Sequence, residues 1–166
     1  MNTEIKDILK NLPIKSNSRI LCIGEPNSKH IIETIKNIPH GEIIILDNKR
    51  SENNKSLQTI YFDFDNGNNL PIRDKTCDIV FVYHTLRNII YRESVLKECI
   101  RTLAPGGLIL LVELYENAHG VTVHPDTRIK HDDMLEYLDH AGFSFGEYFD
   151  TQHHEYGIIG VCPMIR

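Results

Sequence analysis

The residues of this chain best suited to chemistry stand at the ends of apolar runs. Asp47 closes Glu42-Ile43-Ile44-Ile45-Leu46-Asp47, and that run follows an earlier one, Arg19-Ile20-Leu21-Cys22-Ile23, which ends directly on Gly24. A carboxylate at a strand tip about 20 residues beyond a glycine loop has the placement that grips ribose hydroxyls. Asp63 follows a third apolar run, Tyr83-His84 a fourth, and Glu113 ends a fifth. Histidine changes charge near neutral pH, so His84 is the residue able to move a proton there. Plainer roles stay open for each: a solvated acid for Asp47, a packed ring for Tyr83, a helix cap for Glu113.

Other chemistries fail on spacing. His119, His124, His131, His140, His153 and His154 crowd the C-terminal third, but their intervals fit no zinc motif and read as surface histidines. Ser, His and Asp all occur, yet no Gly-x-Ser-x-Gly elbow does, which argues against a hydrolase triad. Cys22, Cys77, Cys99 and Cys162 share no short interval, so buried free thiols in a reducing cytoplasm are the expectation. A net charge of −5 disfavours nucleic acid as a partner. No apolar run is long enough to span a bilayer, and the residues from Met1 to Lys6 do not resemble a secretory signal.

These positions need elements to hold them. With 41% hydrophobic and 25% charged residues, a chain of 166 residues reads as one globular domain, with 1–17 as a short helix and lead-in and 18–163 as the core. Ile5, Ile8, Leu9 and Leu12 form one helix face that Pro13 closes off. Strands are expected at 19–23, 42–47, 59–62 and 78–83, with a helix bearing Ile31, Ile32, Ile35 and Ile38 between the first two. Val95, Leu96, Cys99, Ile100 and Leu103 mark a helix stripe, after which Pro105-Gly106-Gly107 reads as a sharp reversal into the buried strand 108–112. His131-Asp132-Asp133 opens a last helix that Gly142 caps. Strands 143–149 and 156–161 are joined too tightly to be anything but antiparallel.

Arg101-x-Leu103-x-Pro105-Gly106-Gly107 before strand five, Leu70-Pro71 followed by Cys77-Asp78-Ile79-Val80, and an acid ending strand two together resemble a class I S-adenosylmethionine-dependent methyltransferase. The nearest style is that of the small methyltransferases of quinone biosynthesis, and the resemblance covers residues 18 to 163. It implies a Rossmann-like, doubly wound α/β sheet of seven strands, with the last strand antiparallel and inserted between strands five and six. It further implies that Gly24, Glu25 and Asn27 lie against the methionine part of S-adenosylmethionine and that Asp47, with Asn48 beside it, takes the ribose. Asp63, followed by Phe64, would hold the adenine amino group, although matching Leu70-Pro71 without a gap would choose Asn66. Tyr83 and His84 would flank the cofactor and face the substrate. The chain departs from the family at Cys22, where an acid is usual, and at Pro26 and Ser28, where glycines are usual.

The resemblance thus implies methyl transfer to a small or medium-sized acceptor, with His84 as the proton acceptor if the substrate is protonated. Tyr83, His84, Glu113 and Tyr115 are expected to converge on the acceptor, under a long 114–128 loop carrying His119. With only one short N-terminal helix as cover, the loop must order over the acceptor, or a second copy or partner subunit must close the site. The competing reading is a non-catalytic S-adenosylmethionine-binding or regulatory module that has kept the fold. A nicotinamide oxidoreductase is disfavoured, because Gly-x-Gly-x-x-Gly is absent.

Overall fold

The computed structural model describes residues 4–24, 33, 36–37, 41–48, 58–120, 124–151 and 154–164. Seven strands form one sheet: β1 Arg19–Ile23, β2 Glu42–Asp47, β3 Gln58–Tyr61, β4 Cys77–Tyr83, β5 Leu103–Leu114, β6 Ser144–Asp150 and β7 Glu155–Val161. Their order is β3-β2-β1-β4-β5-β7-β6. The first five are parallel, and β7 runs antiparallel to both β5 and β6, in the inserted position the resemblance implied. Chain direction across the sheet reverses between β1 and β4, and ligands of open α/β sheets bind outside the carboxyl ends of the strands at such a point.

Alternation along the strands sends side chains to two cores. On one face Leu21, Ile23, Val80, Val82, Ile109 and Leu111 pack under helices α2 (Arg92–Thr102) and α3 (His131–Ala141). On the other, Ile20, Cys22, Ile45, Phe81 and Leu110 pack against Ile5 and Leu9 of helix α1 (Ile5–Asn11). Each fully buried side chain of this size contributes roughly 1.5–3 kcal/mol. The central strands therefore form a stiff base, while β6 has most of its residues exposed at the sheet's edge. The helix expected between β1 and β2 falls largely outside the described residues. Helix α3 ends as expected, with Gly142 in the left-handed conformation (φ 98°).

The Pro105-Gly106-Gly107 motif behaves differently from its expectation. Strand β5 already begins at Leu103, paired with Cys77, and the register against β4 then jumps so that Ile79 pairs with Leu108. The motif is thus a bulge inside a twelve-residue strand rather than a turn ahead of a shorter one. Pro105 has no N–H to give the ladder, and Gly106 at φ 78° absorbs the extra residues. The bulge also locks onto the end of β7, with Gly106 N–H donating to the Cys162 carbonyl (2.9 Å) and Cys162 N–H to that of Gly107 (2.8 Å).

Arg101 explains why its motif travels with Leu70-Pro71. Its guanidinium donates to the carbonyls of Leu70 (3.0 Å) and Ile72 (2.9 Å) and to Asp74, while Glu98 braces it and accepts the Leu70 N–H at 2.8 Å. One side chain on α2 thereby fixes the connection that leads into β4.

Candidate functional site

Three strand ends carry the expected cofactor groups, and backbone bonds tie them together. Gly24 N–H donates to the Leu46 carbonyl (2.7 Å), and Phe62 N–H to that of Asp47 (2.8 Å), so the tips of β1, β2 and β3 share one register. Gly24 has a φ of 78°, a conformation costly for side chains other than glycine's. A Cβ at Gly24 would also meet the Thr85 side chain, with Oγ1 at 2.0 Å, so the glycine lets the β1 and β4 tips touch. Glu25 and Asn27 lie outside the described residues.

Asp47 is 4% exposed, and its Oδ2 is buried with no hydrogen-bond partner among the described residues. A buried carboxylate oxygen left without a donor is costly, and native structures rarely tolerate one without a reason. A ribose, with two adjacent hydroxyls, supplies the missing donors, so the residues present fit S-adenosylmethionine at this tip. Asn48 is exposed beside it. Asp63 is also exposed, and one of its oxygens accepts the Asp65 N–H (3.0 Å) in a local turn. Asn66 does the same for Asn68 N–H at 2.8 Å. Phe64 instead points into the core, 4% exposed, with its ring edge-on to Phe62 at 5.4 Å. Asp65, which the sequence reading passed over, pins this segment by accepting the N–H groups of Ile90 (2.8 Å) and Tyr91 (3.3 Å).

The four residues expected around the acceptor do not converge. Tyr83 is in register with Val112, so its side chain shares a face with Val112 while Glu113 projects to the opposite one. Tyr83 accordingly packs with the α1 core, and Tyr115 with the α2–α3 core. The expectation ignored strand alternation across the β4–β5 pair.

On Tyr83's side, its hydroxyl donates to Oε1 of Glu155 (2.8 Å), and Thr151 Oγ1 donates to Oε2 (3.0 Å). His84 stacks on Tyr83 with centroids 4.1 Å apart, and its Nε2 lies 2.9 Å from the same Oε1. The ring N–H is out of line with that oxygen, so Nε2 makes a charge contact without an aligned hydrogen bond. Burial, then the charge of Glu155 and the bond to it, push the Tyr83 phenol well above its ordinary value. Burial alone would raise the Glu155 carboxyl, but His84, Tyr83 and Thr151 together hold it below 4.5.

On the other face, Glu113 is 1% exposed and accepts both the Arg87 N–H (3.2 Å) and its guanidinium (2.8 Å). It secures the 3-10 turn Leu86–Asn88 that follows β4, the capping role left open in the sequence. The Tyr115 hydroxyl meets those of Tyr148 and the Asp150 carboxylate. His119 is exposed. In the described part of the 114–128 segment, Arg128 donates to the carbonyls of Glu116 and Ala118, both at 2.8 Å, and Pro125–Thr127 form a 3-10 turn. A cavity of about 340 Å³ between residues 64–70 and α2, lined by Phe64, Leu70, Tyr91 and Val95, contains neither Asp47 nor His84.

Sequence reasoning missed Arg87 and Glu155. A buried acid ending an apolar strand requires a cation, which pointed toward Arg87 in the adjoining loop; nothing local marked Glu155.

Residues 40–111 match the family model described as a methyltransferase domain. A demethylmenaquinone methyltransferase from Staphylococcus saprophyticus is 27% identical over 161 residues, which cover 91% of this chain and 64% of that protein. The chain therefore spans less than two thirds of that relative's length. Among solved structures, a SAM-dependent methyltransferase from Aquifex aeolicus superposes with a TM-score of 0.80 at 15% identity, covering 95% of this chain and 88% of the other. A chain from the complex of the Haloferax volcanii Trm112 methyltransferase activator with a methyltransferase superposes with a TM-score of 0.77 at 18% identity, covering 96% and 88%. At such identities these superpositions speak for the fold.

Proposed function

We propose that the chain is a class I S-adenosylmethionine-dependent methyltransferase and that it transfers a methyl group from S-adenosylmethionine to a small aromatic acceptor of the quinol class. The methyltransferase-domain match over residues 40–111 and the fold support this reading. The unpartnered, buried Oδ2 of Asp47 carries the cofactor part of this reading. The similarity to a demethylmenaquinone methyltransferase supports the acceptor class. When bound, S-adenosylmethionine supplies a methyl group already activated on a sulfonium. The protein's task is then alignment and handling of one proton. Asp47 receives the ribose hydroxyls with Asn48 at its flank, the Gly24 loop with Glu25 and Asn27 receives the methionine part, and Asp63 receives the adenine. Tyr83 borders the cofactor, and His84 takes the acceptor's proton, which leaves the acceptor a stronger nucleophile.

Glu113 acts through Arg87, whose position it fixes, on the same face as Tyr115 and opposite Tyr83, with His119 further along the segment that follows Tyr115. Ile90 and Tyr91, 76% and 54% exposed, offer an apolar rim near the tip of β4. A second copy of the chain or a partner subunit covering that rim belongs to the same reading, as does a cytoplasmic setting for four buried cysteines that form no disulfide. No helix among the described residues is long and apolar enough to cross a membrane.

Calorimetric titration with S-adenosylmethionine and S-adenosylhomocysteine tests the proposal. Saturable binding of both is expected, followed by methylation of a reduced 1,4-naphthoquinone with an unsubstituted ring carbon. Absence of heat with either ligand would sink the cofactor assignment. Binding without turnover of any acceptor would favour the non-catalytic module.

A further inference from the structure

His84 is held in a way that packing alone does not require. Its backbone sits in the left-handed region at φ 51°, a conformation uncommon for residues other than glycine. That conformation lays the ring on Tyr83 and brings Nε2, shielded from solvent, to 2.9 Å from Glu155 Oε1. Glu155 is the first residue of β7 and is itself 3% exposed. It is fixed from two more sides, by Tyr83 at Oε1 and Thr151 at Oε2. A buried carboxylate on one strand, a strained histidine after another and a tyrosine between them form a prearranged cluster at the strand tips.

We propose that Glu155 is a positioning residue for His84, keeping the proton on Nε2 and leaving Nδ1 as the nitrogen that takes the acceptor's proton. The inference rests on the methyltransferase reading above. Although the ring is not aligned for a hydrogen bond, the carboxylate charge 2.9 Å from Nε2 attracts an N–H there and repels a lone pair, so the neutral ring carries its proton on Nε2. In the reaction the acceptor's proton passes to Nδ1, and its bonding pair stays on the acceptor. That pair, on the hydroxyl oxygen, pushes the ring's π electrons onto the unsubstituted ring carbon, which forms the bond to the methyl carbon while the carbon–sulfur pair leaves with sulfur. The proton on that ring carbon then passes to solvent, and its bonding pair restores the aromatic ring. The resulting imidazolium sits against the charge of Glu155. Among the described residues, the other charged or titratable groups near this cluster are Tyr83 on β4 and Arg87 in the following turn, whose charge Glu113 on β5 balances.

The pairing is read without an acceptor, by nuclear magnetic resonance of the whole chain with labelled histidine, using His84→Gln to assign the signal. In the wild type, neutral His84 should carry its proton on Nε2. In Glu155→Gln, which removes the carboxylate's charge, the preference for the Nε2–H tautomer should weaken toward a mixture of the two. In Tyr83→Phe, where Glu155 loses a competing donor, the Nε2–H tautomer should persist, and this variant decides the matter if Glu155→Gln does not fold. An Nδ1–H tautomer in the wild type or in Tyr83→Phe, or a tautomer preference unmoved in Glu155→Gln, overturns the proposal. S-adenosylhomocysteine titration of the same samples keeps the two ideas apart. Affinity should be equal in wild type and Glu155→Gln, and a wild type without affinity would overturn the methyltransferase reading, whatever His84 does.

Discussion

Asp47 and Glu113 are both acids that close apolar parallel strands, and both are almost completely buried, at 4% and 1% exposure. Their surroundings differ. Glu113 has both oxygens occupied by Arg87, whereas Asp47 keeps Oδ2 without a partner. One acid is part of the fold's internal wiring, and the other is held ready at a cost in stability. Substitution should therefore pull stability and binding in opposite directions at the two sites.

Removing Glu113 gives the largest expected effect on stability. Glu113→Ala leaves the Arg87 guanidinium buried and unpaired, which should cost about 3–5 kcal/mol. That is a large fraction of a typical domain's stability of about 5–15 kcal/mol. Urea unfolding followed by circular dichroism would measure it, and a loss below about 1 kcal/mol would end the contrast with Asp47.

Asp47→Asn should behave in the reverse sense. It removes a buried charge that has no partner on one side, so the urea midpoint should stay or rise. S-adenosylhomocysteine affinity should fall at least about tenfold through the lost charge-assisted bonds to the ribose. A folded Asp47→Asn protein with unchanged affinity would contradict the cofactor assignment.

Glu155 sharpens the comparison as a third buried acid, one that is partnered and titratable. Its carboxyl is held below 4.5 in the folded protein, so its contribution to stability is complete above that value. The contribution is lost as pH falls through the lower, folded value. Urea midpoints measured from pH 6 down to pH 3 should decline more steeply in the wild type than in Glu155→Gln; parallel declines would mean that Glu155 gains nothing from Tyr83, Thr151 and His84.

The smallest effect is a null one. Cys22 lies in β1 between β2 and β4, and burial pushes its thiol up to about 12. Cys162 is buried at the end of β7. Neither should react with an aromatic disulfide reagent at pH 8 in the wild type or in Asp47→Asn, because the thiolate is the reactive form. Both should react in Glu113→Ala to the extent that it unfolds. Rapid labelling of Cys22 in folded Asp47→Asn would show that Asp47 also supports the β1–β2 pair.

The sequence alone determined the elements of this protein and the kind of sheet they make. Apolar runs, a 3.6-residue stripe and a terminal glycine are local signals, and a tight link between the last two strands leaves only one relative direction. The strand-tip position of Asp47 was legible for the same reason, since it follows from where a single strand stops. The faces of Tyr83 and Glu113 were not legible, because they depend on how two strands 20 or more residues apart in the chain come into register. The Pro-Gly-Gly bulge likewise exists only against β4 and β7. Arg87 and Glu155, which fix Glu113 and His84, come from segments whose own sequence signals only a turn. A buried charge selects its partner by distance in space, and that distance exists only once the strands have paired.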